Sequence, residues 1–192
     1  MLNLTPTVKN LIIINSGVFI LQLFVPEVTA YLSLYNVNTP LFQPYQLFTY
    51  MFAHGGFVHL FFNMLMLAFT APILETFWGS NRFLLFYIIT GTGAAVFSVI
   101  IDLITGGGAG AMLGASGAIY GVLMGFGMLF PNLEVMLLIP PIPVKAKYLV
   151  FVLGGITFLM DRSGSVAHFA HLGGIVVAWI LIKFWRSKGT YW

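Results

Sequence analysis

The chain contains no cysteine, so disulfides and thiol chemistry are excluded and the redox compartment cannot be read. Charge is almost as scarce. Only 7% of the 192 residues are charged, where a soluble domain carries about a quarter. Eight basic and five acidic residues leave a net charge of +3, too thinly spread to suggest nucleic acid as a partner. No low-complexity tail, soluble domain or internal repeat is visible. What the chain has in excess is apolar surface: 59% hydrophobic residues and a mean hydropathy of +0.98. Water is not its main solvent. The class is an all-α polytopic membrane protein, and residues 1–192 form a single membrane domain.

Apolar runs of spanning length, about 17–25 residues, fall at 8–25, 58–78, 82–103, 114–130, 146–161 and 166–186. Six spans are therefore expected, with Val135–Ile139 before Pro140-Pro141 at the interface. The first run could be mistaken for a signal peptide with a cleavage site at Val28-Thr-Ala30. Its basic flank is only Lys9, however, and Asn15, Ser16 and Gln22 read as helix-packing residues, so retention is expected. Under six-span alternation Lys9, Arg82, Lys145, Lys147, Lys183, Arg186 and Lys188 share one side, and Arg162 alone falls on the other. The positive-inside rule then makes both termini cytoplasmic. Residues 26–57 form a long outer loop rich in aromatics, expected to lie in the bilayer interface.

Polar residues inside spans are costly and mark functional candidates. His59 and Asn63 in span two, Ser116 in span four and His171 in span six all fall near the outer ends of their helices. Span four, counted from Gly114 to Phe130, gives about 25 Å of helix against a hydrocarbon core of about 30 Å. Its serine end is thus expected below the outer surface, reached by the loose segment Gly106–Gly110. Imidazole is the usual base for a serine nucleophile. No carboxylate among Glu27, Glu75, Asp102, Glu134 and Asp161 is placed to orient His171, so a Ser–His dyad fits better than a triad. Tyr120, one turn after Ser116, can pack on the imidazole; His168 is the alternative base. His59 and Asn63 share one helix face as candidate oxyanion donors, beside the free N–H groups at the start of span four.

Each residue also has a plainer reading. Gly117, Gly121 and Gly125, with Gly174 and Ala178, form small-residue ridges of the kind that pack membrane helices, and a serine among them can be incidental. A lone histidine can serve an interface, and Asn63 can be interhelical glue. Glu75 is expected to anchor structure at the cytoplasmic end of span two. The soluble nucleophile elbow Gly-x-Ser-x-Gly is not matched, because Ala118 occupies its last position.

Taken in order, His54-Gly-Gly-Phe-Val-His59-Leu-Phe-Phe-Asn63, Glu75 with Gly79, Gly114-Ala-Ser116-Gly117 with Tyr120, and Ala170-His171-Leu-Gly-Gly174 resemble the rhomboid intramembrane serine proteases over residues 40–185. The resemblance implies a six-transmembrane-helix bundle with a short, central fourth helix, and hydrolysis of a peptide bond in or beside a substrate's transmembrane segment. It implies Ser116 as nucleophile, His171 as base, Tyr120 against the base, and His59, Asn63 and the Ser116 backbone N–H as oxyanion hole. Gly114 and Gly117 would support the serine, and Gly174-x-x-x-Ala178 would pack on span four with alanine where glycine is usual. No metal or cofactor is implied. The partners would be single-span or other transmembrane substrates and the lipid bilayer, and the expected location is the bacterial cytoplasmic membrane, with the active site opening outward. Where many rhomboids carry Trp-Arg in the first outer loop, this chain has Tyr45-Gln46. The alternative is a non-catalytic rhomboid-like protein that binds transmembrane helices; a small transporter or channel is disfavoured by the apolar inner halves of spans four and six.

Overall fold

The computed structural model of the chain describes residues 3–106, 110–137, 141–160 and 168–189. Helix α1 (Pro6–Phe24) opens with proline at a first-turn position, where a missing N–H costs nothing. Its next orphan donors are claimed by a buried carboxylate. Glu75 accepts the backbone N–H of Thr7 and Val8 at 2.9 and 3.0 Å, together with the hydroxyls of Thr5 and Ser80. Four donors compensate a charge that would be costly alone. This network joins the start of α1 to the turn between α4 (Phe57–Trp78) and α5 (Ser80–Thr105). That turn is a single residue, Gly79, whose φ of +79° is open to glycine.

The 26–57 segment is more ordered than a plain interfacial loop. It holds α2 (Glu27–Leu32), α3 (Gln46–Thr49) and a 3-10 turn at Tyr50–Phe52. Gln46, at the place of the Trp-Arg pair of many rhomboids, is buried and binds its own loop: it accepts N–H from Tyr35 and Gln43 at 3.4 and 3.1 Å and donates to Leu41 O at 3.1 Å. Tyr45 stacks on Tyr31 with ring centroids 5.1 Å apart. A glutamine amide can thus bind the loop backbone on both its donor and acceptor sides.

Helix α6 (Ser116–Leu129) packs against α4, α5, α7 (Ala146–Met160) and α8 (His168–Ser187), and most of its residues are buried. It starts two residues later than the expected span because Gly114 has φ +117°, outside the helical region. A β-hairpin not expected from the sequence, β1 (Glu134–Met136) against β2 (Pro143–Lys145), connects α6 to α7 with Val135 opposite Val144. Among the described residues four helices, α1, α4, α5 and α8, are long and apolar enough to cross a membrane; α6 and α7 are apolar but shorter. The chain is an integral membrane protein. Gly107–Ala109, Ile139, Pro140, Asp161 and Arg162, which entered the reading of loops and charges, lie outside the described residues.

Candidate active site

Ser116 is the first residue of α6, and His171 lies one turn into α8. Their side chains meet: His171 Nε2 is 2.8 Å from Ser116 Oγ. The approach depends on small residues. A Cβ built on Gly174 would lie 2.0 Å from the Gly117 carbonyl oxygen and 3.4 Å from Gly121 N, so the two backbones touch there. One built on Gly173 would lie 2.7 Å from Phe97 Cβ on α5. Gly121 faces Thr90 and Gly125 faces Phe86 and Leu74, and Ala178 is fully buried further along α8. The N-terminal turn of α8 is therefore wedged between α5 and α6, which holds the imidazole over the start of α6.

Tyr120 stacks on His171, with centroids 4.2 Å apart and planes 16° from parallel. Its hydroxyl lies 3.0 Å from Thr157 Oγ1 on α7. Thr157 donates its only hydroxyl proton to Leu153 O at 2.8 Å, so Tyr120 is the donor in the Tyr–Thr bond. Among the described residues no carboxylate hydrogen-bonds to His171. The alternative base, His168, meets the His171 ring edge to face at 6.2 Å.

His59 lies against the segment that leads to the serine. Its Nδ1 accepts the Gly55 N–H at 3.4 Å, which leaves Nε2 to carry the proton of the neutral ring. That edge abuts Gly114: a Cβ there would sit 2.7 Å from His59 Nε2 and 2.6 Å from Cε1. Any larger residue at Gly114 would displace the ring. Asn63 is one turn further along α4, and its amide donates to the His59 carbonyl at 2.8 Å. It hydrogen-bonds to neither Ser116 nor His171. The site thus joins Ser116, His171 and Tyr120 closely, brings His59 against the segment before the serine, and leaves Asn63 bound within its own helix.

Several residues support the site through contacts that the sequence does not reveal. Gln22 of α1 is buried and grips the backbone of His54 in both directions, accepting its N–H at 3.0 Å and donating to its carbonyl at 3.1 Å. The His54 ring meets His59 edge on at 5.2 Å, and burial, followed by the neighbouring His59, lowers its pKa to about 4. Tyr50 and the Leu34–Met112 pair hold the segment before Ser116. Gln22 had a sequence signal as a polar residue in an apolar run, and His54 as the first residue of the motif that ends in Asn63; Tyr50, Leu34 and Met112 had none that marked them as supports. Among the described residues no group of three or more imidazoles and carboxylates converges as a metal site would.

The helical fold and apolar spans define a membrane protein in which a buried histidine meets a half-buried serine. Its sequence has relatives. The Rhomboid domain family matches residues 41–188, and the chain belongs to the rhomboid family. It is 33% identical over 142 residues to Rhomboid protein 1, mitochondrial, of Saccharomyces cerevisiae, covering 72% of this chain and 41% of that protein. It is 31% identical over 139 residues to RHOMBOID-like protein 1 of Arabidopsis thaliana, covering 72% and 34%. Over a shorter stretch of 73 residues it is 38% identical to Rhomboid-like protease 5 of Toxoplasma gondii, covering 38% and 8%. The chain spans less than half the length of these relatives.

Proposed function

We propose that this protein is an intramembrane serine endopeptidase that cleaves transmembrane segments of other membrane proteins through a Ser116–His171 dyad. The observation that carries the reading is the 2.8 Å contact of His171 Nε2 with Ser116 Oγ under the stacked Tyr120 ring. In this reading six helices cross the bilayer, α6 and α7 among them, with both termini cytoplasmic and the serine end of α6 open to the outer side. The charge distribution supports that orientation, and a 14-residue α6, about 21 Å long, keeps Ser116 within a core of about 30 Å. A bacterial cytoplasmic membrane suits this topology.

The chemistry follows from the atoms at hand. A substrate helix must unwind locally, because a helical carbonyl is already hydrogen-bonded. Ser116 Oγ then attacks the exposed carbonyl carbon as its proton passes to His171 Nε2. The carbonyl π electrons move to oxygen, and the oxyanion is received by the Ser116 N–H at the α6 N-terminus and by the His59 Nε2–H, with Asn63 in support. Collapse breaks the C–N bond, and His171 returns the proton to the departing amine. Water, deprotonated by His171, hydrolyses the acyl-enzyme and restores Ser116 Oγ–H. Tyr120 keeps the imidazole plane fixed in place of a carboxylate.

The test is cleavage of a single-span reporter in proteoliposomes by the wild type, Ser116→Ala and His171→Ala proteins, with fluorophosphonate labelling of the serine in parallel. Cleavage and labelling should both vanish in the two variants while protein level and fold persist. Undiminished cleavage by Ser116→Ala would sink the dyad. A wild type that binds the reporter but neither cleaves it nor takes label would establish the non-catalytic helix-binding alternative.

A further inference from the structure

Tyr50, in the turn before α4, is 1% exposed and touches the nucleophile segment on both sides of Ser116. On the near side its carbonyl accepts the Gly114 N–H at 2.9 Å. On the far side its phenol lies against Gly117: a Cβ there would sit 2.9 Å from the hydroxyl oxygen. The hydroxyl itself donates to Gly91 O of α5 at 2.7 Å. One residue thus ties α5 to the positions two before and one after the serine.

This matters because the segment before Ser116 has little regular structure of its own. Leu34 and Met112 exchange backbone hydrogen bonds at 2.8 Å in each direction, and the Gly114–Tyr50 bond follows. Among the described residues the Tyr50 carbonyl is therefore the last backbone hold before α6 begins. Gly114, at φ +117°, bends the chain there. A shift of the Tyr50 ring would move that carbonyl, and with it the point from which Ser116 projects. Burial raises the phenol pKa, so the ring stays protonated and keeps its donor.

The geometry points to Tyr50 as a positioning residue for Ser116: its hydroxyl on Gly91 O and its carbonyl on Gly114 N–H together set the distance from Ser116 Oγ to His171 Nε2. The inference rests on the protease reading above, which the same experiment tests separately. Tyr50→Phe keeps the ring and the backbone carbonyl and removes only the hydroxyl. The full chain, wild type and variant, would be assayed in proteoliposomes on the single-span reporter, with active sites counted by fluorophosphonate titration. A lost neutral hydrogen bond that misplaces a nucleophile should lower kcat per titrated site about 3- to 10-fold, with KM within about twofold. Counting sites removes any unfolded fraction from the comparison. Unchanged kcat per titrated site, with or without a lower melting temperature, would reduce Tyr50 to a core residue. A change confined to KM would make it a substrate contact instead. A wild type that neither labels nor cleaves would overturn the protease reading and this role with it.

Discussion

The Tyr120 hydroxyl donates to Thr157 Oγ1 across 3.0 Å, so the ring stacked on His171 is held by α7 as well as by its own helix. Helix α7 packs mainly on α6 and is exposed along much of its length. The bond therefore links a peripheral helix to the plane of the imidazole. It is a positional link from α7 to the imidazole through the Tyr120 ring.

Thr157→Val removes that bond and preserves the shape of the side chain. A neutral hydrogen bond contributes about 0.5–1.5 kcal/mol net, so catalysis should fall about 2- to 12-fold. The loss should appear in kcat on the single-span reporter, because neither Thr157 nor Tyr120 needs to touch substrate for the effect. Tyr120→Phe should match it. Thr157→Ser, which keeps the hydroxyl, should recover most of the rate. A Thr157→Val enzyme at full rate would show that stacking alone orients His171.

The glycines give a sharper contrast. Gly174 has no room for a methyl, since its Cβ would lie 2.0 Å from the Gly117 carbonyl oxygen, whereas at Gly155 nothing lies within 4 Å. Gly174→Ala must push α8 from α6, and overpacking of this kind costs about 1–3 kcal/mol or more. It also carries His171 away from Ser116, so activity should fall by more than the loss of folded protein explains. Gly155→Ala lies within α7 and should be neutral or stabilise by about 0.4–1 kcal/mol. Melting temperature and reporter cleavage of the two variants, measured side by side, check both statements. Equal tolerance of alanine at the two positions would contradict the close α6–α8 approach.

How far the site could be read from sequence depended on whether a residue's role lay in its own helix. Ser116 and Tyr120 are four residues apart on one helix, and His171 is a polar residue near the outer end of an apolar span, so spacing and hydropathy were enough to name them as candidates. The start of α6 was placed two residues early because apolarity continues through Gly114, and only its backbone angle ends the helix. Tyr50 was indistinguishable among the aromatics of the 26–57 loop. Its importance comes from contacts with Gly91, Gly114 and Gly117, far away in sequence. Thr157 was hidden likewise, as a hydroxyl in an apolar run whose partner lies on another helix. The β1–β2 hairpin follows from backbone pairing between short segments too brief for a period-2 pattern to emerge. Helix identity was local information; the supports of the site were not.

Glu75 offers a test of the scaffold away from the chemistry. It accepts from the N–H groups of Thr7 and Val8 and from the hydroxyls of Thr5 and Ser80, and it is 3% exposed. Every one of these partners is a donor, so an ionised carboxylate satisfies all of them. Glu75→Gln replaces one accepting oxygen with an NH2 group that must face donors. The buried mismatch should cost about 1–3 kcal/mol, enough to lower the melting temperature of a chain this size by several degrees. Catalysis should respond differently. Ser116 and His171 are held by α5, α6 and α8, while Glu75 joins α1 to the α4–α5 turn. Turnover per fluorophosphonate-titrated site should therefore stay within about twofold of wild type below the melting transition. A large loss of turnover in properly folded Glu75→Gln protein would instead mean that the α1 anchor is felt at the dyad, through Gln22 and the His54 backbone that it grips.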